Sequence, residues 1–269
     1  MTGDEIFRTA LESIQQGKYK KAIKLIDSFF QATGEVESLV KQSSVCFNEW
    51  EYINEISICE KTVNNHNSTF EGYLALSLVF KLVNNSERRL MYIDKASKIN
   101  SNNFRIWREK GETAYKLGDI QKALHCFQEA INFNNKDPFC FEGIGLCYYY
   151  LDEPMKAINP LRKALELDPN NHSIMNHLSF LLSEMGELEE ALTLIQKALQ
   201  YDDKNNIYLD TYASILFLQE KYKESLEIFE RILNNNPKNW EVSWDILAKL
   251  YKKLGLHVKA KQIEERLYH

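Results

Sequence analysis

The sequence predicts an all-α fold, a solenoid of antiparallel helix pairs, on three observations. Two consecutive 34-residue stretches, residues 104–137 and 138–171, agree position by position. Apolar residues recur at helical spacing through both, with glycine, asparagine and proline punctuating the points where helices should end. No linker or low-complexity segment interrupts the chain, so one continuous array over residues 1–269 is the simplest organisation.

Aligned, the two stretches share an aromatic at the fourth position (Trp107, Phe141), glycine at the eighth (Gly111, Gly145) and alanine at the twentieth (Ala123, Ala157). A large apolar residue follows at the twenty-fourth (Phe127, Leu161) and alanine again at the twenty-seventh (Ala130, Ala164). Small residues at a helix crossing let two backbones approach closely while aromatics fill the remaining gap. The series resembles the tetratricopeptide repeat, a helix-turn-helix unit of this length. That resemblance implies a right-handed superhelix in which first helices line a concave groove and second helices form the convex back.

The first unit, residues 3–35, opens on Thr2 and Glu5 at capping-box spacing and keeps Ala10, Gly17, Tyr19 and Ala22. Units two (36–69) and three (70–103) keep the helical period but carry Ser43 and Ser77 at the eighth position and Glu55 and Arg89 at the twentieth. A charge buried in a close crossing is costly unless it is paired or reaches water, so the helices are expected to be splayed or rotated there. Units four (104–137) and five (138–171) anchor the alignment, with Pro154 suited to a first turn and Pro160 predicting a kink in the same helix. Unit six (172–205) carries Leu178, Ser179, Gly186, Ala191 and Ala198; unit seven (206–239) carries Ala213, Tyr222, Phe229 and Pro237, with Ser225 replacing an alanine. The eighth (241–269) shows Trp244, Ala248, Tyr251, Gly255 and Ala260 and ends in a more polar helix, as a terminal repeat needs.

Composition narrows the function. A net charge of -5 argues against a general binder of nucleic acid or anionic membrane. No run of apolar residues is long enough to span a bilayer, and the amino terminus lacks the pattern of a signal peptide, so a cytoplasmic protein without membrane insertion is expected. Five dispersed cysteines fit reduced, buried thiols. Cys140 and Cys147 stand seven apart, about 10 Å along a helix, too far to share a metal. His172 and His177 fall on different faces, and GIGLCY at Gly143 lacks the third glycine and the preceding strand of a dinucleotide site. No catalytic, cofactor or metal site is predicted.

By the family analogy, offsets two, five, six, nine, twelve and thirteen point into the groove. They give Arg105, Arg108, Glu109, Glu112 and Tyr115, then Phe139, Glu142, Leu146 and Tyr149 with Tyr150 beside it. The next units add Asn176, His177 and Phe180, then Asp210, Ser214 and Phe217; earlier ones offer Phe7, Leu11, Val40, Leu74 and Leu78. Rigid aromatics beside carboxylates suit a peptide or helix with apolar and basic residues, anchored by Tyr149, Phe180 and Phe217 and oriented by Glu142 and Asp210. The competing reading is that some of these rings pack internally. The family's clamp for a chaperone's terminal carboxylates is absent: Glu112, Gly143, Ser173 and His177 stand where its pattern needs other residues. The expected function is a non-enzymatic protein-binding adaptor, with self-association or docking into a larger complex as the alternative.

Overall fold

The computed structural model describes residues 2–33, 47–65, 69–235 and 243–267. The expectations for Val40, Ser43 and Pro237 lie outside them. Among the described residues there are fifteen α-helices and one 3-10 helix, and no strand. The fold is an all-α solenoid of helix pairs.

Two compact units divide the chain, Met1–Glu153 and Pro154–His269, so the boundary falls inside the fifth repeat. Unit 1 holds α1 (Gly3–Gln15), α2 (Tyr19–Thr33), a 3-10 helix (Glu49–Tyr52), α3 (Ile53–Asn65), α4 (Phe70–Leu82), α5 (Ser86–Ile99), α6 (Phe104–Lys116), α7 (Ile120–Phe133) and α8 (Pro138–Tyr150). Unit 2 holds α9 (Pro154–Leu167), α10 (His172–Glu184), α11 (Leu188–Tyr201), α12 (Asn206–Leu218), α13 (Tyr222–Asn235), α14 (Trp244–Lys253) and α15 (His257–Leu267).

Starts and stops follow the expected chemistry. Thr2 and Glu5 close a reciprocal capping box on α1. Side chains of Thr69, Asn85, Asn103, Asp119, Asp137, Asn171 and Asn205 accept from the first amides of their helices. Each described hairpin that keeps its turn places a left-handed residue at the fifteenth position: Gly17, Gly118, Gly186 and Gly255, but also Asn84, Asp152 and Glu220. Helix α9 runs from Pro154 to Leu167 with Pro160 inside it, where one amide proton is missing.

The alanines of the repeat sit fully buried at the crossings, Ala123, Ala130, Ala157, Ala164, Ala191 and Ala198 among them. Ser179 and Ser225 occupy equivalent crossings without leaving a hydroxyl stranded, because each donates to a carbonyl of the paired helix, at Ala191 (2.7 Å) and Ala213 (2.8 Å). Arg89 meets the pairing condition that a buried charge requires. It is 1% exposed, and its guanidinium donates to both Glu109 and Glu112, so the crossing admits the charge by pairing it.

Candidate functional site

The predicted groove residues separate into those whose polar groups the fold already uses and those left at the surface. Eleven of the twenty that are described are buried: Phe7, Leu11, Leu74, Leu78, Glu109, Glu112, Phe139, Glu142, Leu146, Asn176 and Ser214. For Glu109 and Glu112 the reason is a buried ion cluster. Glu112 Oε2 accepts from Lys81 Nζ at 2.7 Å and from Arg89 at 2.8 Å, Glu109 accepts from Arg89, and Lys116 Nζ stands 3.4 Å from Glu112. Burial alone would push the Glu109 carboxyl up, but Lys81 and Arg89 outweigh it and hold it down at about 2. Glu112 is likewise held well below the usual carboxylate range, by Arg89, Lys81 and Lys116 against its burial. Desolvation lowers the Lys81 ammonium in turn, against the pull of Glu112 and Glu109. Glu109 and Glu112 are therefore internal ion-pair partners rather than exposed contacts for a basic ligand, because adjacent repeats supply their cations.

Arg105 and Arg108 are committed in the same way. Arg105 forms a two-pronged pair with Asp27 of α2, at 2.9 and 2.5 Å. Arg108 lies 3.5 Å from Asp137 with its guanidinium 4.2 Å from the centre of the Phe139 ring. Phe139 meets Phe127 edge-on, 6.0 Å between centres. Tyr115 packs edge-on against the exposed Tyr150, which touches Tyr149 in the same manner, at 5.8 and 5.5 Å. Internal packing thus claims much of the aromatic set of unit 1.

Unit 2 differs. Helices α10 and α12 pack on each other and present His177 and Phe180, then Asp210 and Phe217, all half-buried. Phe217 leans on Tyr222, 5.6 Å between ring centres. Asp210 accepts from the Ser243 backbone amide (2.9 Å) and hydroxyl (2.6 Å) at the start of α14. Burial raises the Asp210 carboxyl above its ordinary value despite those two neutral donors. Beside them, Asn176 (4% exposed) and Ser214 (6% exposed) each keep a buried oxygen, Oδ1 and Oγ, without a hydrogen-bond partner. Sequence reasoning placed these two in the groove and marked Arg89 as a charge that needs a partner; it gave no sign of Lys81 or Asp27, whose roles depend on contacts between repeats.

Among the described residues no group of His, Cys, Asp and Glu side chains could hold a metal ion, and no helix is long and apolar enough to cross a membrane.

Comparison with known proteins agrees with the helix pairs. A TPR repeat-containing protein of Methanocaldococcus jannaschii is 25% identical over 145 residues, 54% of this chain and 25% of the relative's own length. The chain thus spans about a quarter of that curated relative. Among solved structures, pilF of Pseudomonas aeruginosa superposes with a TM-score of 0.62 at 16% identity, covering 94% of this chain and 96% of that one. YrrB, described as a TPR protein with an unusual peptide-binding site, gives 0.56 at 20% identity over 67% of this chain and 93% of its own. The family model described as intraflagellar transport protein 56 matches residues 110–265, more than half of the chain. The chain therefore belongs to the intraflagellar transport protein 56 family and is a tetratricopeptide-repeat protein.

Proposed function

We propose that the chain is a non-enzymatic adaptor that captures a segment of a partner protein on the α10 and α12 face of unit 2. One observation carries the reading: Asn176 Oδ1 and Ser214 Oγ are buried acceptors without partners, beside the half-buried rings of Phe180 and Phe217. A buried oxygen that lacks a donor costs about 1–3 kcal/mol, which a donor from a bound segment would recover. Asp210 sharpens the partner's chemistry. A lysine or arginine brought against this partly desolvated carboxylate would relieve it, so the segment combines apolar side chains for the two rings with at least one cation. The likeness to YrrB, itself described as peptide-binding, is consistent with this use of the fold.

Selection of a random peptide library on the immobilised chain tests the proposal. Enriched peptides are expected to carry basic and apolar residues. They should lose binding to Phe180→Ser, and their basic residues should lose their advantage on Asp210→Asn, with the helical circular dichroism of both variants intact. Equal binding to wild type and to both variants would remove this face from consideration.

A second reading, assembly into a larger complex, draws on Trp50 and Val258, large apolar side chains 79% and 75% exposed. Light scattering after size exclusion separates the two: a monomer at micromolar concentration leaves assembly without support from self-association.

A further inference from the structure

The first-helix face of repeats three and four is already occupied. Leu74 and Leu78 of α4 and Arg105 of α6 stand at offsets that would meet a ligand; α2 packs along α4 and reaches α6 through Ile23 and the Asp27–Arg105 pair. Along α2, Lys20, Ile23, Asp27 and Phe30 recur at spacings of three, four and three, which makes them one stripe of the helix. Each has a contact. Lys20 Nζ is 3.8 Å from Glu71, and Ile23 packs against the cluster of Leu74, Ile93, Ala96 and Ile106. Asp27 grips both terminal nitrogens of Arg105 across 78 residues of sequence, and the Phe30 ring lies 4.9 Å from Lys81 Nζ. The adjoining stripe, Ala22, Ile26 and Phe29, is buried in one cluster with Phe7, Leu11 and Ile14 of α1 and Leu76, Leu78 and Phe80 of α4.

Charge explains why an acid belongs at position 27. Five cations, Lys81, Arg89, Arg105, Arg108 and Lys116, stand within 4.0 Å of Glu109 or Glu112, the two carboxylates of α6. Asp137 meets Arg108 from one side and Asp27 meets Arg105 from the other. A helix with an apolar and acidic stripe, seated on the first helices of neighbouring repeats, has the geometry of a helix-in-groove ligand.

We infer that the first-helix face of α4 and α6 is a helix-binding surface, that its ligand in the free chain is the chain's own α2, and that the Asp27–Arg105 pair latches it. External segments are excluded from this face while the latch holds, which leaves capture to other repeats. The inference does not use the α10 and α12 face, and its test leaves that reading untouched.

The test places a reporter under α2. In a Leu74→Cys chain, position 74 should react slowly with a maleimide, read by peptide mass spectrometry so that native thiols do not interfere. Adding Asp27→Arg, which sets two guanidinium groups against each other, should speed labelling about tenfold, and Asp27→Arg with Arg105→Asp should return it to near the slow rate. Asp27→Asn is the milder arm, with an acceleration of about threefold, and decides the matter if Asp27→Arg does not fold. Rapid labelling in the Leu74→Cys chain alone would mean that α2 does not cover the face. A slow rate unchanged by both Asp27 variants would mean that the pair is no latch. Either result overturns the inference.

Discussion

Phe127 shows how much the repeat depends on what a side chain lacks. A Cβ on Gly111 would sit 2.7 Å from its ring, and one on Gly143 only 2.6 Å away, so the phenyl group is wedged between the backbones of α6 and α8. Gly143→Ala is therefore expected to overpack the crossing and lower stability by about 1–3 kcal/mol, measured by thermal unfolding; an unchanged midpoint would show that the ring has room to shift. Gly111 was legible in the sequence because its eighth-position counterpart repeats thirty-four residues later. Gly143 was not, since its offset was assigned to the groove and nothing local reveals that Phe127 reaches it. Trp107 gives a milder correction. Its ring is half-buried, with Nε1 donating to the Ser101 carbonyl at 2.9 Å, so truncating it should cost less than removing a fully buried ring.

At the scale of the element, the hairpin turn is the most regular feature. Seven described hairpins put a left-handed residue at the same offset, and three of them use a residue with a side chain there. Glu220, at φ 61, carries a strain that glycine would not. Glu220→Gly is expected to stabilise the chain by about 0.5–1 kcal/mol in urea unfolding, whereas the same change in a helix interior destabilises. Helix lengths, caps and pairings were readable from period and punctuation, because they are local. The seat of α2 was not: Asp27 meets Arg105 and Phe30 meets Lys81 only after the intervening repeats have folded between them. The partners of Arg89 were hidden for the same reason, its two carboxylates being supplied by the next repeat.

For the molecule as a whole, the two units should answer acid differently. Glu109 and Glu112 are depressed in the folded state, so the stability they contribute is complete above the ordinary glutamate value of 4.5 and is lost as pH falls below it, toward about 2 in the case of Glu109. Asp210 has the opposite sign: folded, it holds its proton longer than the unfolded chain does, so unit 2 gains from this group as pH falls past its ordinary range. Urea midpoints at pH 7, 4.5 and 3 should fall most steeply in the last interval, and Glu109→Gln should flatten that fall. The four described cysteines add a last consequence. Burial pushes the thiols of Cys59 and Cys147 up to about 12 and that of Cys126 to about 11, and Cys140 is buried as well. At neutral pH the Cys59, Cys126 and Cys147 thiols therefore stay protonated. Peroxides and alkylating agents thus find almost no nucleophile on Cys59, Cys126 and Cys147 until a hairpin opens, so these three side chains keep their chemistry in reducing and oxidising surroundings alike.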